Sequence, residues 1–189
     1  MPVASSPIVL HLGPMRGKLD DHDFFEFCRL NPEWRIERTS AGDLVIMAPT
    51  GGLTGSQNFT LTGLFSHWVE EDGTGIGFDS STGFTLPNGA KRSPDLAWIK
   101  RERWEALAEE EREEFPPLCP DFVVELRSRS DSLASLQAKL EEYVENGAEL
   151  GWLIDPQERT VYIYRPRTAA QRVDNPQKIS GDPVLPGFT

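Results

Sequence analysis

Two acidic residues lie inside short apolar stretches that predict buried strands. Glu125 falls within "CPDFVVELRSRSD" and Asp95 within "SPDLAWIK". Burying a polar group without a partner costs about 2–7 kcal/mol, so a carboxylate in such a run needs a cation or a function. Strand side chains alternate between the two faces of a sheet, so Glu125 shares its face with Val123 and Arg127. We expect that face to open to a cleft.

The two carboxylates can converge if their strands are neighbours. Both stretches begin with Pro-Asp and are short and apolar, which is typical of central strands. Two carboxylates close together repel, which raises a pKa unless a cation lies between them. Hard oxygen ligands and several waters suit Mg²⁺. The pattern therefore predicts a divalent-metal site at Asp95 and Glu125.

A lysine on the next helix is placed to reach the same site. In "SDSLASLQAKLEEYVENG", residues Leu136, Leu140 and Tyr143 fall on one apolar arc at about 100° per residue. Lys139 lies at the edge of that arc and is the only cation of the segment. It can lean toward the sheet that carries Glu125.

Asp, Glu and Lys around a metal are the groups of a phosphodiester hydrolase. The metal polarises the scissile phosphate and lowers the pKa of a bound water, while the lysine orients that water and offsets charge. Each residue also has a structural interpretation. Glu125 could pair with an arginine, Lys139 could extend its ammonium to solvent, and Asp95 could cap a turn.

The elements that must position these residues alternate between helices and strands. Spacing predicts helices from Asp21 to about Asn31, from Gln57, and over 101–114 and 130–147, the last one capped by Ser130 or Asp131 and ended by Gly147. Hairpins are predicted over 34–50, 75–89 and 150–165, and single strands near 94–100 and 121–127. The prediction is an α/β (α+β mixed) fold with a central mixed β-sheet flanked by helices.

Composition limits the function classes. The chain has 189 residues, 38% of them hydrophobic, and we expect one domain over 1–189 with residues 1–20 as a flexible N-terminal arm. No apolar run approaches the roughly 20 residues of a membrane helix. Two distant cysteines favour a reducing compartment, hence the cytoplasm. A net charge of −11 argues against strong non-specific DNA binding but leaves room for a local basic patch.

Several motifs together resemble one known family. The stretches "RSPDLAWIK", "PDFVVELRSRSD", "LQAKLEEYVENGAELGWLIDP" and "VYIYRP" closely resemble the Uma-type restriction endonuclease family of the PD-(D/E)XK nuclease superfamily, which is abundant in cyanobacteria. "RIERTSAGDLVIMAPTGG" is similar to its opening hairpin and "GDPVLPGF" to its closing segment. The resemblance runs from about Asp21 to Phe188. It implies a restriction-endonuclease-like core with an N-terminal β-hairpin.

The resemblance also implies roles for individual residues. It maps the metal-binding acids to Asp95 and Glu125, and it implies the backbone carbonyl of Leu126 and the carboxylate of Glu37 as further metal contacts. The superfamily's usual lysine two residues after the glutamate is replaced by Arg127. In this family the lysine has moved to the next helix, at Lys139, the residue that helical spacing also selects.

Four further residues are candidates for phosphate or active-site contacts: Arg92, Arg127, Gln137 and Tyr143. The sequence departs from its relatives where many carry a histidine after "APTGG", because Gln57 and Asn58 stand there. The role of that histidine in positioning substrate is therefore not carried over.

The predicted function is a Mg²⁺- or Mn²⁺-dependent endonuclease that hydrolyses DNA, with a homodimer expected from the superfamily. Two alternatives stay open. One is a catalytically inactive nuclease-fold module for binding or assembly, which the acidic charge and the missing lysine at 127 favour. The other is a metal-dependent phosphodiesterase on another substrate.

Overall fold

Two β-sheets and five helices form the described part of the chain, residues 7–12 and 19–189 of a computed structural model. The strands are Ile8–Leu10 (β1), Arg35–Arg38 (β2), Leu44–Met47 (β3), Gly75–Asp79 (β4), Phe84–Thr85 (β5), Lys91–Arg92 (β6), Leu96–Lys100 (β7), Phe122–Leu126 (β8), Leu150–Asp155 (β9), Thr160–Tyr164 (β10) and Gln171–Asp174 (β11). The helices are Asp21–Leu30 (α1), Gly52–Asp72 (α2), Arg101–Glu105 (α3), Glu109–Glu113 (α4) and Leu133–Glu145 (α5).

The larger sheet has six strands in the order β11-β10-β9-β8-β7-β4. Only β8 and β9 run parallel, and α5 connects them, so the predicted mixed sheet is confirmed. The strands β7 and β8 are central, as their apolar composition predicts. One face packs Val123 against Leu140 and Tyr143 of α5, and the other packs Phe122 against Phe65 of α2. With helices on both faces, β8 is buried along its whole length.

Helix α5 begins one or two residues later than its sequence suggests. Its N-cap is Ser132, whose hydroxyl accepts from the Ser135 amide at 3.5 Å. The predicted caps are wrong because the Asp131 carboxylate instead accepts from the Ser128 amide at 2.8 Å, which closes a tight turn after β8. The end is as predicted, since Gly147 takes a φ of 116° that favours glycine.

The smaller sheet has five strands in the order β1-β3-β2-β6-β5 and contains the predicted N-terminal hairpin, β2 with β3. The predicted hairpin over 75–89 is wrong, because β4 pairs with β7 in the larger sheet and β5 pairs with β6 here. The Ser/Thr/Gly turn between β4 and β5 carries the chain from one sheet to the other. In it, the Asp79 carboxylate accepts from the amide and hydroxyl of Ser81.

Other differences are local. The segment 101–114 forms two short helices, and Arg112 bonds the carbonyls of Glu105 and Leu107 where they break. Part of the predicted N-terminal arm, residues 1–6 and 13–18, lies outside the described residues, and between them β1 pairs with β3. Among the described helices, none is long and apolar enough to cross a membrane.

Candidate active site

The register of β7 and β8 places Asp95 across from Glu125. Leu96 pairs with Val124 in the antiparallel ladder, and the Asp95 amide donates to the Val124 carbonyl at 3.0 Å. The Asp95 Oδ2 accepts from the Leu126 amide at 2.8 Å. The amide and carbonyl of one strand residue point to the same side, so the Leu126 carbonyl also faces the Asp95 side of β8.

Helix α5 covers Glu125. The Glu125 Oε1 lies 2.8 Å from the Lys139 Nζ, and the Tyr143 hydroxyl donates to the same oxygen at 3.3 Å. Glu125 is only 3% exposed, so the expectation that its face opens to a cleft is wrong. The apolar arc of α5 that packs on the sheet brings Lys139 over this carboxylate.

The ammonium of Lys139 joins the two sheets. Its Nζ lies 2.8 Å from the Oε1 of Glu37 on β2 and 2.8 Å from the Oε1 of Glu125 on β8. It also donates to the Ser93 carbonyl at 3.3 Å, in the link between β6 and β7. Glu37, Glu125 and Lys139, which were all selected from the sequence, therefore meet at one buried ammonium group.

Glu37 is held by donors on both of its oxygens. Besides Lys139, it accepts from the Ser93 amide at 3.0 Å and from the Arg92 guanidinium at 3.1 Å. Burial alone would raise the pKa of this carboxyl, but Lys139, Arg92 and Arg35 outweigh burial and lower the pKa to about 2. Glu37 is therefore ionised and anchors Lys139 at physiological pH.

Glu125 has the opposite electrostatic balance. Burial raises its pKa to about 7, because the neighbouring carboxylates Asp95 and Glu37 add to burial and exceed the attraction of Lys139. The pKa of Lys139 is raised, since Glu125 and Glu37 outweigh its burial. The lysine therefore stays charged, while Glu125 can hold a proton near neutral pH.

The four supporting candidates lie in different surroundings. Tyr143 contacts Glu125 directly, and Arg92 is shared between Glu37 and Glu142, with its Nε 2.6 Å from the Glu142 Oε2. Arg127 turns away from Glu125 and pairs with the buried Asp155 at 2.6 Å. Gln137 is half-buried and makes no side-chain hydrogen bond to residues 7–12 or 19–189.

The sequence reasoning missed Arg35. Its guanidinium donates to the Asp95 Oδ1 at 3.3 Å and also to the Ser93 carbonyl, so it holds the carboxylate that faces Glu125. The sequence did contain a signal for Arg35, because Arg35 and Glu37 are two residues apart on β2 and share a face of the strand.

The donors at this site fit a divalent cation. Three cations (Arg35, Arg92, Lys139) contact four carboxylates (Glu37, Asp95, Glu125, Glu142), which leaves one negative charge. Burial and then the carboxylates Asp95 and Glu37 raise the pKa of Glu125, and a cation between Asp95 and Glu125 would lower that pKa again. No group of three or more His, Cys, Asp or Glu side chains in the described ranges is arranged around a metal position, so any ion held here takes further oxygens from Leu126 or water.

Comparisons with known proteins identify the family and the fold. A family model described as "Uma2: Putative restriction endonuclease" matches residues 21–189. A crystal structure from Anabaena variabilis ATCC 29413, described as "a putative nuclease belonging to DUF820", is similar with a TM-score of 0.66 and 22% identity, over 79% of this chain and 82% of that chain. No curated protein matches the chain. The structural likeness confirms the predicted restriction-endonuclease-like fold.

Proposed function

The chain belongs to the Uma2 family, whose description is "Putative restriction endonuclease", and from that premise we propose that it is a Mg²⁺-dependent endonuclease that hydrolyses DNA phosphodiester bonds. One observation carries the proposal. The Lys139 ammonium lies 2.8 Å from Glu125, whose strand position faces Asp95.

The proposal assigns the metal to Asp95, Glu125 and the Leu126 carbonyl. Bound there, Mg²⁺ would polarise a phosphate oxygen and lower the pKa of a bound water. Mn²⁺, with similar oxygen preference, is expected to substitute.

The proposal assigns the other roles, holding the water and positioning the metal-facing acids, to side chains. Lys139 carries a positive charge beside Glu125 and can hold the attacking water or offset charge on the phosphate. Glu37 fixes that ammonium through its own contact at 2.8 Å and is assigned to positioning Lys139. Arg35 holds Asp95 at 3.3 Å, and Tyr143 holds Glu125 through its hydroxyl, so each metal-facing acid has a positioning partner.

Nicking of supercoiled plasmid DNA with Mg²⁺ or Mn²⁺ tests the proposal. We expect the unmodified protein to nick, and Glu125→Gln and Lys139→Met to lose at least about a hundredfold in rate. Glu145→Gln is the matched control, because Glu145 is exposed on the same helix and makes no ion pair within the described residues. Equal nicking by Glu125→Gln, or no metal binding by the unmodified protein, would contradict the proposal.

A second candidate is a nuclease fold that binds DNA or a partner without cleaving. It is favoured by the hydrogen bonding of the site, because Lys139, Arg35 and Arg92 each already contact a carboxylate. Under this alternative, Mg²⁺ does not bind, and Glu125→Gln leaves DNA affinity unchanged. Calorimetric Mg²⁺ titration of the unmodified protein and of Glu125→Gln separates the two candidates.

A further inference from the structure

A cavity of about 480 Å³ opens near the end of β8. It lies between the first half of α2 and the turn that joins β9 to β10, with Leu61, Ile154 and Val161 among its apolar residues. Leu126 also lines it, and Leu126 directly follows Glu125 on β8. The cavity therefore begins at the same end of β8 as the candidate metal site, on the opposite face of the sheet.

Three side-chain amides line this cavity without partners. They belong to Gln57, Asn175 and Gln177, and none makes a side-chain hydrogen bond to any described residue. Each amide offers two donor hydrogens and an acceptor oxygen. The cavity thus combines apolar walls with hydrogen-bonding groups that the protein itself does not use.

The charge of the cavity differs from that of the whole chain. Asp155 lines it, but its carboxylate is paired with Arg127 at 2.6 Å. Arg159 also lines it and makes no ion pair within residues 19–189. The charge left without a partner is therefore positive, although the chain carries a net charge of −11.

The backbone fixes the rim of the cavity at Arg159 and Asn175. Arg159 and Asn175 have φ values of 54° and 47°, a region that non-glycine residues seldom adopt. The backbone N–H of Asn175 donates to the backbone carbonyl of Arg159 at 2.8 Å, so the two residues hold each other in place. A rim held in this way is preorganised and loses little freedom when it binds.

We propose that this cavity, on the other face of the sheet at the same end of β8, binds one unpaired base of the DNA strand whose phosphodiester is held at Asp95 and Glu125. The inference rests on the proposed function and adds a base subsite to it. A nucleobase has two apolar faces and an edge of donors and acceptors, which asparagine and glutamine side chains match, most often with adenine. Arg159 is placed to contact a phosphate of the same strand, as arginine does in most DNA complexes.

Binding measured without cleavage tests the subsite. In a Glu125→Gln background, fluorescence anisotropy compares a short labelled single strand with a strand of equal length made of abasic sugars. We expect the intact strand to bind about tenfold more tightly, the range for one well-read base. The double substitution Gln57→Leu with Gln177→Leu should remove that preference, and Asn175→Gly should weaken it while keeping the positive φ.

Gln171→Leu is the matched control, because Gln171 is an exposed glutamine on β11 that does not line the cavity. It should keep the full preference, and thermal unfolding checks that all variants are folded. Equal binding of the intact and abasic strands by the parent overturns the subsite, as does an unchanged preference in the double variant. Base preference without nicking by the unmodified protein supports the subsite and contradicts the proposed function, while nicking without base preference does the reverse.

Discussion

Lys139 sets the charge balance of the candidate site, because its ammonium is shared by two buried carboxylates. Glu37 keeps a pKa of about 2 and Glu125 has a pKa of about 7, although both contact the same Nζ at 2.8 Å. The difference arises from the surroundings, since Arg92 and Arg35 act on Glu37 while Asp95 acts on Glu125. One carboxylate anchors the lysine, and the other can hold a proton near neutral pH.

Removing this ammonium should cost stability as well as activity. Lys139→Met leaves Glu37 and Glu125 buried with fewer cations, and breaking a buried pair typically costs about 3 kcal/mol or more. The loss should be larger at pH 8 than at pH 6, because Glu125 can escape part of the penalty by taking up a proton. Urea unfolding measures it, with the exposed Lys178→Met as control. Unchanged stability at both pH values would show that the lysine does not neutralise the pair.

The pKa values of the two glutamates predict opposite effects of pH on stability. Without metal, folded Glu125 keeps a proton between about pH 4.5 and 7 that the unfolded chain has released, so the free energy of unfolding falls as pH rises through that window. The Glu37 contribution is present above about pH 4.5 and is lost as pH falls toward about 2.

Metal binding should reverse the pH dependence of stability that Glu125 causes. Divalent ions need the ionised carboxylate, so the increase in melting temperature caused by Mg²⁺ should be larger at pH 8 than at pH 6. Differential scanning fluorimetry checks this, and Glu125→Gln should remove both the shift and its pH dependence. A shift that is independent of pH would place the ion elsewhere.

At the scale of elements, the close approach of α5 to β9 positions Lys139. A Cβ on Gly151 would lie 2.6 Å from the Leu140 Cδ1, whereas one on Gly77, on α2's side of the same sheet, would meet Phe65 and Val69 at 3.3 Å. Gly151→Ala should therefore cost about 1–3 kcal/mol of stability and move α5 away from the sheet. We expect slower nicking than in Gly77→Ala, measured at a temperature where both variants are folded. Equal rates would show that the helix position tolerates a methyl group.

The elements also show which features could be predicted from sequence. Period-two alternation predicted that Asp95 and Glu125 converge on one face if their strands are neighbours, and helical spacing predicted that Lys139 leans toward that sheet, because both patterns depend on local geometry. The partner of β4 could not be predicted, since antiparallel pairing with β7 or β5 satisfies the same alternation and only tertiary packing selects one. Arg35 was missed for a related reason: its role depends on contact between two sheets. The burial of Glu125 was also missed, because a shared strand face does not reveal whether a helix covers it.

At the scale of the whole molecule, the acidic charge predicts weak electrostatic attraction to DNA. Arg129 lies near the end of β8, and Arg159 lines the cavity. Both are exposed and make no ion pair within the described residues. Two phosphate contacts give a slope of about −2 in a plot of log K against log salt. Anisotropy of Glu125→Gln with labelled DNA across a salt series measures it. A slope several times steeper would reveal a basic surface elsewhere on the molecule.

The ammonium that links the two sheets also determines when the candidate centre can exist. Glu37 and Lys139 are 102 positions apart in the chain, and Glu125 belongs to a different sheet from Glu37. During synthesis, the first hairpin leaves the ribosome long before α5, so a nascent chain holds Glu37 without Lys139 and has no complete centre. Assembly of the candidate centre thus waits for most of the chain to fold, so an unfinished copy lacks the contacts that join the two sheets.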